Sequence, residues 1–247
     1  MFRLATKFKP APQAFETAVA AGCRHAEFWL GPEILADWQQ VAELARQYPL
    51  EYALHFPNRK DLTGESLEQC AALYRALDCR AMVIHEPMHA ASGDELRRID
   101  PDLTLAVENH RLSITGFDRW ADRNEHLTLD VEHLWKFTLE DAPLADLLTA
   151  VERFLDRSGD RLRHVHLPGY LPGYEEHRPM YCAREMVLPV FSLLDAAGYS
   201  EFVVSEVNNE FQNVHELRMD CLLFDRWQEM DRQELTEMTR AGLKSAG

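Results

Sequence analysis

Six apolar stretches of this sequence end on a side chain able to bind a metal ion: His55, His85, Glu108, Asp130, His166 and Glu206. The clearest case is Leu127-Thr-Leu-Asp-Val-Glu-His133. Leu127, Leu129 and Val131 alternate with Thr128 and Asp130, the period-two pattern of a strand, which ends on Asp130 with His133 just past it. A carboxylate and an imidazole at one strand end are costly to bury unless they bind something. A single strand-end His is more often a hydrogen-bonded structural residue than a ligand. Six successive ends of this type point instead to a shared centre.

Glu108, Asp130, His166 and Glu206 form the inner set. Three carboxylates and one imidazole suit a hard or borderline divalent ion such as Mg²⁺, Mn²⁺, Co²⁺ or Zn²⁺. Converging carboxylates repel one another and raise their pKa values, a conflict that a bound dication removes. His55, His85, His133 and His177 could hold further ions, for which imidazole donors favour zinc.

The elements that must position these groups follow from periodicity. Strands are predicted at Phe2–Phe8, His25–Leu30, Leu50–Phe56, Ala81–Ile84, Leu103–Val107, the 127–133 stretch, Arg161–Leu167 and Glu201–Val204. Helices are predicted at Gln13–Ala21, Glu33–Tyr48, Ser66–Leu77 with Ser66 as N-cap, Ile114–Asn124, Leu144–Leu155, Val187–Ala197 and Val214–Thr239. Ser92–Ile99 reads as a segment short for a barrel helix. Strand starts recur every ~25–35 residues, the size of one βα unit. No Ser- or Pro-rich linker divides residues 1–247, so one α/β domain, a single closed (β/α)8 TIM barrel, fits best. An open doubly wound sheet is the competing architecture, but no GxGxxG follows the first strand.

In such a barrel catalytic groups stand at the C-terminal strand ends. In order these are Lys7, Glu27, His55, His85, Glu108, Asp130, His166 and Glu206, with His133, Glu175 and His177 on the loops beyond. Trp29, Tyr170 and Tyr174, with Glu27, are candidates to line a substrate pocket. His25, His89, His110, His126 and His215 lie outside the pattern and are expected at the surface, while His164 is read as structural. Trp38, Trp120, Trp135 and Trp227 read as packing residues. The Gly-, Pro- and Tyr-rich stretch Pro168–Tyr181 is long enough for a lid.

The net charge of −15 and pI near 5.1 disfavour a nucleic-acid partner, whose phosphates need Lys and Arg. An acidic surface suits a small uncharged substrate. No apolar run approaches the ~20 residues that span a bilayer, and Met1–Lys7 lacks the apolar core of a signal peptide. Five cysteines without a CxxC pair fit reduced thiols and a cytoplasmic location. The last helix could cover the barrel or pair subunits of a homo-oligomer.

The order and spacing of Val83-Ile-His-Glu-Pro, Ala106-Val-Glu-Asn-His, Leu129-Asp-Val-Glu-His, Val165-His-Leu-Pro-Gly and Val203-Val-Ser-Glu-Val resemble the xylose-isomerase-like TIM-barrel superfamily. That superfamily holds sugar isomerases and epimerases and the endonuclease IV group. The resemblance runs from the third strand through the eighth. It implies that Glu108, Asp130, His166 and Glu206 occupy the shared metal positions, with Glu108 and Glu206 as the acid/base pair of the epimerase branch. The nuclease branch implies a trinuclear zinc site, for which His55, His85, Glu108, Asp130, His133, His166, His177 and Glu206 match by type and order. There Glu175 stands where an Asp of a DxH motif belongs. No Arg follows His166 within Leu167–Glu176, where the epimerase branch has one.

Three readings remain open. In the first, a divalent-metal-dependent sugar or keto-acid isomerase/epimerase moves a proton through a metal-stabilised enediolate, Glu108 and Glu206 exchange that proton, and His133 orients or polarises an oxygen. In the second, a di- or trinuclear zinc metallohydrolase cleaves a phosphodiester. The third is a barrel that binds metal without catalysis.

Overall fold

Strand β1 (Arg3–Phe8) pairs in parallel with β2 (His25–Trp29) on one side and with the last strand, β8 (Phe202–Ser205), on the other. Between them β3 (Glu51–His55), β4 (Met82–His85), β5 (Leu105–Glu108), β6 (Leu127–Asp130) and β7 (Leu162–His166) follow in sequence order, so the ring closes. The computed structural model describes residues 1–174 and 176–245, with side chains of the C-terminal helix described as far as Met230. The result is the (β/α)8 barrel that the alternating pattern predicts.

The barrel interior fills from the bottom upward. Ala5, Ala53, Phe202 and Val204 pack as a small inner cluster, two small side chains making room for one phenyl ring. Above them sit His164 and Glu27, both fully buried, and above these lie the strand ends. Outside the barrel, Phe2 packs with Phe191, Phe224 and Trp227, tying β1 to the C-terminal helix Val214–Ser245. Aromatic contacts of this kind add ~0.5–1.5 kcal/mol each beyond the area they bury. That helix also packs against Pro12–Ala21, where Cys23 and Cys221 bring their sulfurs to 3.7 Å. No helix of the described residues is long and apolar enough to cross a membrane.

Several elements differ from expectation. The helix predicted over 33–48 is two, Pro32–Ala36 and Trp38–Ala45, broken at Asp37 where φ/ψ is −109°/26°. The helix predicted from Ser66 starts at Gly64, because the Thr63 hydroxyl accepts from the Ser66 N–H and is the cap. The short segment Ser92–Ile99 is the end of a full helix, Glu86–Ile99, that begins one residue after β4; Pro87 in the first turn starts a helix here and does not mark a loop.

The most consequential difference is in β6. The strand stops at Asp130, whose Oδ1 accepts from the His133 N–H at 2.7 Å and caps the turn Val131–His133. Val131 is therefore helical, although it continues the strand's alternation in sequence. A five-residue π-helical turn, Leu134–Thr138, follows at once; such turns recur at functional sites.

Candidate metal centre

Register alone brings several donors together: His85 pairs with Glu108 across β4–β5, and Asp130 with His166 across β6–β7. Paired residues of a parallel sheet point to the same face, here the barrel axis. His166 Nδ1 becomes the meeting point. Glu206 Oε2 lies 2.9 Å from it, Glu108 Oε2 3.6 Å and Asp130 Oδ2 3.8 Å. His55 Nε2 and His85 Nε2 stand 3.4 and 3.2 Å from the same Glu108 Oε2. The other Glu108 oxygen, Oε1, is 3.1 Å from His133 Nδ1.

Electrostatics favour charged carboxylates here. Burial alone would raise the Glu108 pKa, but His85, His133 and His55 hold it well below the carboxylate range. Glu206 is held down against the same penalty by Lys7 and His166. Burial opposes protonation of His133, yet Asp130 and Glu108 lift it to about 9.

The donor set fits a divalent cation. Asp130 Oδ2, His133 Nδ1 and His166 Nδ1 are buried and have no hydrogen-bond partner despite neighbours within 4 Å. Charged and polar atoms packed that closely without hydrogen bonds suit coordination better than pairing with each other. Carboxylate oxygens and imidazoles are donors that Mn²⁺, Co²⁺, Mg²⁺ and Zn²⁺ all accept.

Below this layer Glu27 forms a support. Its Oε2 accepts from His164 Nε2 at 2.5 Å and from His166 Nε2 at 2.9 Å, and Lys7 Nζ sits 3.0 Å from its Oε1. Engaging His166 through Nε2 leaves Nδ1 free to face the centre, the arrangement by which a carboxylate orients a ligating imidazole. The structure thus corrects the placement of Glu27: it is fully buried beneath the site and cannot meet a substrate. Lys7 also reaches Glu206 Oε1 at 2.8 Å.

A cavity of about 510 Å³ opens above, a size suited to a small molecule. Lys7, His55, His85, Glu108, His133, His177 and Glu206 reach its wall, as does Trp29, 43% exposed. Tyr170 and Tyr174 do not. Tyr170 is buried against Trp135 and donates to Asp141, and Tyr174 points to the surface.

His177 stands slightly apart, grouped with Glu132 and Glu176. Its N–H donates to Glu132 Oε2 at 3.0 Å, and its backbone takes a left-handed φ of 57°. Glu132 is fully buried, and burial with the nearby Asp130 pushes its pKa up to about 8. The sequence pattern passes over Glu132 because it occupies an even position in an apparent strand. Glu175, the residue expected near a third ion, lies outside the described residues. The stretch Pro168–Tyr181 is pinned at its base, where Gly169 and Arg178 pair in antiparallel fashion.

His110 departs most from expectation. It lines the cavity beside Glu108 and is not a surface residue, and burial with His85 and His133 lowers its pKa to about 4. An imidazole two residues past a strand end carries no periodic signal.

No protein-family profile and no curated protein sequence matches this chain. Solved structures do. A D-tagatose 3-epimerase-like protein superposes with a TM-score of 0.68 at 14% identity, covering 95% of this chain and 100% of that one. L-ribulose 3-epimerase gives 0.60 at 16% identity, over 96% and 98% of the two chains. Endonuclease IV from Thermus thermophilus gives 0.62 at 17% identity, over 92% and 99%. At such identities the likeness is one of fold, and it is the barrel of the xylose-isomerase-like group.

Proposed function

We propose that the protein is a divalent-metal-dependent isomerase or epimerase of a sugar or a related keto acid. The observation that carries this reading is the convergence of Glu108, Asp130 and Glu206 on His166 Nδ1 within 3.8 Å, at the floor of a cavity sized for a small molecule. Glu108, Asp130, His166 and Glu206 would hold the ion. When bound, it supplies Lewis acidity toward two adjacent substrate oxygens.

The chain's own residues do the rest. Glu108 and Glu206 both reach the cavity wall and remain ionised, so one takes a proton from a substrate carbon and the other returns it. Lys7 fixes one oxygen of Glu206, leaving the second to act. His133, held by the Asp130 cap, orients a substrate oxygen. Trp29, Phe8 and Val207 give the cavity an apolar side against which a sugar ring can lie. The epimerases with a similar fold act on sugars of this size, which supports the reading.

Incubation of metal-loaded protein in deuterium oxide with a panel of ketoses and keto acids tests it. Deuterium at one substrate carbon is expected; its absence across the panel would sink the proposal.

A zinc phosphodiesterase is the second reading, favoured by the additional donor groups His55–His85–Glu108 and Glu132–Glu176–His177 and by the similarity to endonuclease IV. Hydrolysis of a small phosphodiester by zinc-loaded protein, with no deuterium exchange, would select it.

A further inference from the structure

Hydrogen bonding does not account for the position of His110. Its ring stacks on His85, with centroids 4.3 Å apart and planes within 10°. It meets His133 edge-on at 4.7 Å. Nδ1 of His110 is buried without a hydrogen-bond partner among the described residues, and so is Nδ1 of His133, a side chain more than nine-tenths buried. Both nitrogens lie near the same oxygen, Glu108 Oε1, at 4.0 and 3.1 Å. Glu108 Oε2 has other neighbours: His55, His85 and His166. The two oxygens of Glu108 thus serve two different groups of imidazoles.

Two buried imidazole nitrogens and one carboxylate oxygen, all within 4.8 Å of one another, make the three-ligand set of an open zinc-type site. Hydrogen bonding leaves the set unsatisfied, because neither ring nitrogen has the geometry to pair with Glu108 Oε1. A cation would satisfy all three at once. Since Glu108, His110 and His133 all line the cavity, the remaining coordination position would open toward substrate or water.

We propose that Glu108 Oε1, His110 Nδ1 and His133 Nδ1 hold a divalent cation of their own, separate from the ion assigned to Asp130, His166 and Glu206, with Glu108 bridging the two. The proposal rests on the assignment of Glu108 as a metal ligand made above. It adds a second cation to the cavity, one suited to an oxygen donor of the substrate, and His110 is the residue that commits to it.

Metal content decides the matter. Apo protein is titrated with Zn²⁺ and with Co²⁺, reading stoichiometry by elemental analysis and the visible Co²⁺ bands, for wild type, His110→Ala and Asp130→Asn. Wild type is expected to take at least two ions. His110→Ala should lose one of them, or bind it more weakly by more than the roughly 10–100-fold that removal of an outer partner causes. Asp130→Asn should weaken the other ion and spare the His110-dependent one. Circular dichroism confirms that each variant is folded, and His110→Gly with added imidazole should recover the lost ion. A single ion sensitive to Asp130→Asn and indifferent to His110→Ala would overturn this proposal and leave the catalytic one standing. No bound ion in wild type would overturn both.

Discussion

Lys7 Nζ lies 2.8 Å from Glu206 Oε1, a buried ion pair that joins the first strand of the barrel to the loop leaving the last. The same ammonium touches Glu27, the carboxylate beneath His166. Burial would lower the Lys7 pKa, but Glu206 and Glu27 together raise it, so it stays charged. One cation therefore anchors both a candidate ligand and the support of another.

Lys7→Met would leave two buried carboxylates without their counter-charge. Loss of one partner of a buried pair costs ~3–5 kcal/mol. A divalent ion bound beside Glu206 would offset part of this. The variant should therefore melt well below wild type in EDTA and recover much of the difference with Mn²⁺ or Zn²⁺, as read by thermal denaturation in the two conditions.

Glu206→Gln keeps the shape of the side chain and removes its charge and basicity. Turnover should fall by more than roughly 1,000-fold, given that general acid–base groups supply ~10²–10⁴ and ion binding is weakened as well. Steady-state rates and a far-ultraviolet spectrum measured together test this; appreciable activity would remove Glu206 from the acid/base pair.

Gly169 has no room for a side chain. A Cβ there would come within 2.0 Å of the Pro179 carbonyl oxygen. Gly169→Ala should break the pairing with Arg178, cost ~1–3 kcal/mol as an overpacked site does, and release the segment that presents His177. Faster proteolysis between residues 169 and 178, with the rest of the chain resistant, is the expected pattern.

Asp220 is buried on the C-terminal helix, accepting from the Ser205 hydroxyl at 2.5 Å and from the Tyr181 N–H at 3.1 Å. Burial pushes its pKa from 3.8 up to about 6, against the pull of those hydrogen bonds. Between these values the native state holds more protons than the unfolded chain, so stability falls as pH rises through the window. The loss approaches about 3 kcal/mol above pH 6. Asp220→Asn should flatten that slope, as urea denaturation at pH 4.5 and 7.5 would show.

Much of the fold was legible because strand alternation and strand spacing are local and repeated. Eight apolar runs with chemistry at their ends define a barrel almost without further help, and the close approach of Glu108, Asp130, His166 and Glu206 follows from ring closure. What escaped depends on contacts that no period encodes. Glu27 reads as a pocket residue because it ends a strand, yet Lys7, His164 and His166 occupy its oxygens. Asp130 caps a helical turn in the middle of an alternating run, which swings His133 toward Glu108 and buries Glu132. His110 belongs to a loop, and only the stacked His85 ring reveals its place. Tyr170 is an aromatic on a loop that packs inward, because Trp135 and Asp141 give it both a ring contact and an acceptor.

The succession of donors along the barrel has a bearing on how the centre comes into being in a cell. A ribosome delivers His55 and His85 early, Glu108 and Asp130 midway, and Glu206 only after the seventh strand has emerged. Until β8 docks against β1 the nascent chain offers scattered imidazoles and carboxylates, none backed by Lys7. Loading with the correct ion is therefore a late event in biogenesis, and the loose donors of the unfinished ring are exposed to whichever metal is most abundant.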